Sequence, residues 1–96
     1  MPKQARRTRR RSESVIPKET LAQEVAQILD ERGITQTEAA YAFRGSPSEV
    51  SLIVNGRTRG FSPEKLFRVL TCLGRDVDIV LRKSKGSVGR VRVVTR

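Results

Sequence analysis

Two helix-start signals set eleven residues apart constrain this chain more than any other feature. The first is Thr35-Gln36-Thr37-Glu38 and the second is Ser46-Pro47-Ser48-Glu49. In each, a hydroxyl side chain and a carboxylate three residues later reciprocally satisfy two N–H groups at the opening of a helix. Pro47 suits the first helical position, where its missing N–H would have had no partner. Ala39 and Ala40 are small enough to let the next helix approach closely. Val50 and Ile53 supply that helix with an apolar face, and Asn55-Gly56 ends it. The pattern predicts two short crossed helices joined by a tight turn at about Phe43 to Gly45.

The flanking residues extend the bundle. From Lys18 to Arg32, Leu21, Val25, Ile28 and Leu29 fall on one helical face, Ala22 and Ala26 widen it, and Gly33 stops it. After Gly56 comes a polar, basic loop, Arg57-Thr58-Arg59-Gly60. Phe61-Ser62-Pro63-Glu64 then starts a fourth helix, with Phe61 and Leu66 placed to form a hydrophobic staple. Its stripe is Leu66, Phe67, Leu70 and Leu73, and Gly74 terminates it. Beyond Gly74 the period changes to two: Val77, Ile79 and Leu81 alternate with Asp76, Asp78, Val80 and Arg82, which predicts a strand. Ser84-Lys85-Gly86-Ser87 reads as a turn and Val88 to Val94 as a candidate second strand. A lone hairpin is marginal in water, so this one is expected to pack on the helices or to pair with another copy. The expected fold is mainly α: a compact bundle of four helices followed by a C-terminal β-strand or hairpin.

Charge divides the chain in the same way. The net charge is +10, of which residues 1–14 carry +5 and residues 83–96 carry +5, leaving residues 15–82 balanced. Three segments follow: a disordered basic arm (1–14), a folded domain with its terminal strand (15–82), and a basic tail or second strand (83–96). A basic arm beside a folded reader suits a polyanion, held by counterion release and therefore sensitive to salt. The bland alternative is a solvated tail. There is no apolar run long enough for a membrane span and no secretory pattern, so a cytoplasmic protein is expected. The lone Cys72, on an apolar helix, reads as a core filler. With no His, one Cys, no phosphate-cradling glycine loop and no metal-ligand cluster, an enzyme is not expected, and neither is a cofactor.

From Leu21 to Leu81 the chain resembles the XRE, or Cro/C1-type, helix-turn-helix family, whose fold is lambda-repressor-like. Thr35-Gln36, Ala40, Val50-Ser51, Ile53 and Asn55-Gly56 carry the resemblance. Within it the chain is most similar to HigA-type antitoxins, in which the fourth helix ends in Leu-Gly and runs into an acidic-then-aliphatic strand, as Leu73 to Val80 does here. One departure stands out: the family has Gly then an apolar residue in the turn, and here those places hold Arg44 and Gly45. Either Phe43 covers the missing anchor or the turn is set differently, and the pitch of the third helix depends on which.

The resemblance implies a second helix of the pair lying in the major groove of DNA. Gln36 matches a phosphate-holding position at the start of the first, where N–H groups and the dipole favour an anion. The groove-facing positions match Pro47, Ser48, Glu49, Ser51 and Leu52. Asn55, Arg57 and Arg59 match phosphate contacts. Arg44 is either a phosphate contact or a solvated turn residue, Ser46 a cap before it is a ligand, and Glu49 a cap or an acceptor from cytosine. No Arg or Gln is present for bidentate purine contacts, so part of the specificity is expected from DNA shape, from water, or from Arg6, Arg7, Arg9, Arg10 and Arg11 of the arm in the minor groove. Phe43, Phe61 and Phe67 read as core, and Tyr41 is open.

Three functions fit: an autoregulating repressor that is also the antitoxin of a type II toxin-antitoxin module; a stand-alone phage-repressor-like regulator; or a structural or RNA-binding protein acting through its basic ends. The first two imply a homodimer on a palindromic operator, with the strand after Gly74 as the first candidate contact and the apolar side of the fourth helix as the second. The small ribonuclease-like toxin implied by the antitoxin resemblance would itself be basic. The acidic side of the first helix (Glu19, Glu24, Asp30, Glu31) is therefore the expected face for it.

Overall fold

A computed structural model describes residues 16–95, so the proposed arm and its arginines lie outside the described residues. Four helices follow in order: α1 Lys18–Arg32, α2 Gln36–Phe43, α3 Pro47–Val54 and α4 Pro63–Cys72. They form one helical unit, Lys18–Asp78. α2 packs on α3 and α4, and α1 on α3 and α4. The core is Leu21, Ala22, Val25 and Ile28 from α1, Ala39, Ala40 and Phe43 from α2, Val50 and Ile53 from α3, and Leu66, Val69 and Leu70 from α4, closed by Phe61 and Leu73. The alanine pair of α2 is fully enclosed, as a close helix crossing requires. Each fully buried aliphatic side chain here contributes roughly 1.5–3 kcal/mol through removal from water.

Three of the predicted caps form as written. Thr35 Oγ1 accepts from the Glu38 N–H and Ser46 Oγ from the Glu49 N–H, and both carboxylates reach back to the capping residue's own N–H. Ser62 Oγ accepts from the Lys65 N–H. The four helices also end alike. In each, an N–H just past the end reaches back five residues: Ile34 to the Leu29 carbonyl, Gly45 to Ala40, Arg57 to Leu52 and Arg75 to Leu70. That closure needs one residue in the left-handed region. Gly33, Gly56 and Gly74 supply it in three cases, with φ of 63°, 78° and 95°. Arg44 supplies it in the fourth.

Long side chains tie the ends of the unit together. The Arg32 guanidinium donates to the Leu73 carbonyl. Arg75 bridges two carboxylates of α1, Glu24 at 2.7 Å and Glu31 at 3.2 Å. The amide of Gln27, with Arg75, holds the Glu31 carboxyl below its ordinary range.

Two expectations are corrected. No strand forms after Gly74 or from Val88 to Val94 among the described residues. The Ser84–Ser87 turn does form, with Ser84 Oγ accepting from the Gly86 N–H and donating to the Val88 carbonyl. The turn and its flanks carry Arg82, Lys83, Lys85, Arg90 and Arg92. Like charges and the weakness of a lone two-stranded ribbon leave them without a ladder. Cys72 is exposed, not core. The inward stripe of α4 is Leu66, Val69, Leu70 and, just past its end, Leu73, which turns Cys72 outward and leaves Phe67 half-buried. Because that stripe is consumed inside the unit, it offers little to a second copy. No helix among the described residues is long and apolar enough to cross a membrane.

Candidate nucleic-acid interface

Burial of Val50 and Ile53 fixes which side of α3 faces out. Pro47, Ser48, Leu52 and Asn55 are exposed and Ser51 is half-buried. Ser48, Leu52 and Asn55 fall at i, i+4 and i+7, a single stripe along the helix. Asn55 is oriented by a 2.7 Å bond from its Nδ2 to the Ser51 carbonyl. At the head of α2 the capping box satisfies the Thr35 and Glu38 N–H groups, which leaves those of Gln36 and Thr37 for an outside anion. Pro47 has no N–H, so at the head of α3 that role falls to Ser48. Glu49 is engaged on both oxygens: Oε1 accepts from the Ser46 N–H and Oε2 lies 3.4 Å from Lys65 Nζ. Of its two candidate roles, the cap is the one occupied. Lys65, whose Nζ also stands 5.5 Å from the centre of the Phe43 ring, offsets the carboxylate that would otherwise repel a phosphate at the head of α3.

The turn between α2 and α3 explains its own departure from the family pattern. A Cβ built on Gly45 would stand 2.2 Å from Phe43 Cε2, 2.7 Å from Phe43 Cζ and 2.5 Å from Glu49 Oε1. The Phe43 ring therefore fills the place where the turn's apolar anchor would sit, and only glycine fits beside it. Phe43 covers the gap, and α3 keeps its cap and its buried face. The left-handed residue is then Arg44, with φ 62° and ψ 35°. Arg68 steadies this corner by donating to the Phe43 carbonyl at 3.5 Å.

Arg44 is strained where glycine would not be. Arg44→Gly is expected to stabilise the fold by about 0.5–1 kcal/mol, the relief of a left-handed conformation less the greater freedom glycine gives the unfolded chain. A thermal melt followed by far-ultraviolet circular dichroism checks this. An unchanged or lower Tm would mean that the arginine is not strained.

The loop after α3 is held from an unexpected side. Lys18, the first residue of α1, donates from Nζ to the carbonyls of Thr58 at 3.2 Å and Phe61 at 2.9 Å. The Phe61 N–H closes the turn onto the Thr58 carbonyl, and Thr58 is buried. Arg57 and Arg59 thus flank an anchored residue and are both exposed. Sequence reasoning singled out the arginines and missed the lysine, because nothing local links residues forty apart.

The remaining candidates distribute simply. Gln36 and Arg44 are exposed, and Ser46 is half-buried in its cap. Phe43 and Phe61 are core, and Tyr41 is exposed. On α1, Glu24 and Glu31 are paired with Arg75, whereas Glu19 and Asp30 rim a shallow groove of about 580 Å³ between α1 and the end of α3, with Val54 and Asn55 on its other side. Among the described residues no group of three or more metal-ligating side chains gathers.

Comparison with known proteins agrees with this geometry. Residues 8–82 match a family model described as a helix-turn-helix domain. A solved structure described as an XRE-family transcriptional regulator superposes with a TM-score of 0.73 at 33% identity, covering 80% of this chain and 89% of its own. No curated protein matches the chain.

Proposed function

Because the chain belongs to the helix-turn-helix family, in its XRE branch, we propose that it is a transcriptional repressor that binds a palindromic operator as a homodimer, α3 of each copy lying in the major groove. What supports this reading is the exposed stripe of α3, Ser48, Leu52 and Asn55, beside two arginines on an anchored loop. Gln36 and the open N–H groups at the head of α2 take one phosphate, and Asn55, Arg57 and Arg59 take those at the far end of α3. Ser48, Ser51, Leu52 and Pro47 touch base edges. None of these makes a bidentate purine contact, so sequence preference is shared with DNA shape and with the basic arm, Arg6 to Arg11. The test is a nuclease footprint of the full chain on the DNA upstream of its own gene. A protected site with two-fold symmetry is expected; uniform coverage of any duplex, or preference for RNA, would favour the basic ends as the active part.

A second reading, an antitoxin within the same DNA-binding scheme, draws support from the groove on α1. Glu19 and Asp30 have no ion-pair partner among the described residues, and their groove suits a basic protein surface. Such a partner would also touch Asn55, so its binding and that of DNA would influence each other. Copurification with a small ribonuclease-like protein encoded by the neighbouring gene separates the antitoxin from the stand-alone regulator.

A further inference from the structure

The segment Asp76–Arg82 follows the helices without regular secondary structure or a ladder partner among the described residues, and its Ile79, Val80 and Leu81 are 70%, 74% and 90% exposed. Three consecutive large apolar residues in the open, on unpaired backbone, form an edge that invites another chain. The order of the residues specifies which chain. Read antiparallel against itself about Ile79, the segment is self-complementary. Ile79 meets the second copy's Ile79, Val77 meets the second copy's Leu81, and Asp76 meets the second copy's Arg82. Directly opposed residues share a face of a sheet, so one face becomes a continuous apolar row, and the other carries an opposite-charge pair at each end with Asp78 opposite Val80 between them.

Neighbouring registers break the apolar row. Shifting the axis by half a residue sets Val77 opposite Arg82 and Asp78 opposite Leu81, mixing the two faces. Centring on Val80 keeps an ion pair, Asp78 with Arg82, but sets Val77 opposite Lys83 and so interrupts the apolar row. Centring on Asp78 brings that carboxylate against its own copy, which is destabilising. Asp76, Asp78 and Arg82 are all exposed and carry no ion pair within the described chain.

We propose that a second copy of this chain pairs antiparallel through Asp76–Arg82, with Ile79 on the two-fold axis and Asp76 and Arg82 in reciprocal ion pairs. The pairing rests on the two-fold DNA-binding reading above and names the interface that reading needs.

Two measurements on the full chain test it. In a Cys72→Ser background, Ile79→Cys is expected to give a disulfide-linked dimer on mild oxidation, since opposed Cα atoms in an antiparallel pair lie about 4.5–5.5 Å apart, within the span of a disulfide. By sedimentation equilibrium, Asp76→Arg and Arg82→Asp are each expected to weaken the dimer by about tenfold, because each variant sets two like-charge pairs face to face. The double variant should restore it. Circular dichroism checks that the helices survive each change. A chain that stays monomeric at every concentration overturns both this pairing and the two-fold reading. A dimer that forms no Ile79→Cys crosslink and ignores both reversals overturns the pairing alone.

Discussion

Gly45→Ala is expected to lower the stability of the fold by about 2–3 kcal/mol, the usual consequence of forcing a methyl group into a filled core. In a unit of this size that corresponds to a fall in Tm on the order of 10–20 °C. The cause is local. The added carbon would stand 2.2 Å from the Phe43 ring and 2.5 Å from the Glu49 carboxylate. The carboxylate can swing away, though only by releasing the Ser46 N–H and opening the cap of α3. The ring cannot, because Phe43 is enclosed by the core. A cycle with Phe43→Leu discriminates this account from a generic turn effect: with a slimmer side chain at residue 43, the cost of Gly45→Ala should shrink by about 1 kcal/mol or more. Urea denaturation of the four proteins measures it. A Gly45→Ala protein melting within about two degrees of the parent, an effect under about 0.5 kcal/mol, would show that the turn does not depend on this contact.

The turn also marks where sequence reasoning reaches its limit. Thr35 with Glu38, and Ser46 with Glu49, are legible because both partners of each cap lie within four residues, and the helix bounds follow from them. The glycines that end α1, α3 and α4 are legible for the same reason. Gly45 is different. Its necessity comes from a ring folded back from two residues earlier, and only the packed core fixes where that ring lies. The alternation Val77, Ile79, Leu81 has the period of a strand, but a strand is a relation between two segments. Among the described residues nothing supplies the second. The period alone also did not separate Val69 from Phe67 on α4, or place Cys72 outward; a helical stripe has edges, and its neighbours decide which edge is covered.

Side chains that bridge distant backbone were the other blind spot. Lys18 reaches the loop at Thr58 and Phe61, Arg32 reaches Leu73, and Arg75 reaches Glu24 and Glu31. In composition these are three more cations in a basic chain. In the fold they are fasteners, and their charges are committed. The distinction matters for function, because the cations free to meet DNA in the helical unit are fewer than the sequence suggests. Lys65 faces Glu49 and Arg68 faces the end of α2, while Arg44 in the turn and Arg57 and Arg59 beside the reading helix remain outward.

Removing Arg57 and Arg59 should therefore have the largest effect on DNA binding of any change in the helical unit. The double variant Arg57→Ala, Arg59→Ala is expected to weaken operator binding on the order of a hundredfold near 0.1 M salt, each charge-assisted phosphate contact contributing about tenfold. The slope of log K against log salt should become shallower by about 1.8, since each phosphate contact contributes about 0.9. Tm should not change, because both side chains are exposed. Lys18→Met provides the contrast. Its Nζ is bonded to two carbonyls of the loop, so its loss should loosen the arginines and reduce affinity modestly while leaving the slope nearly intact. Ser48→Ala and Leu52→Ala provide the opposite contrast, altering preference between sequences with little change in slope. Fluorescence anisotropy over a salt series reads all of these. If the double variant loses affinity with no change in slope, Arg57 and Arg59 do not neutralise phosphates, and the phosphate contacts must be sought in the basic arm.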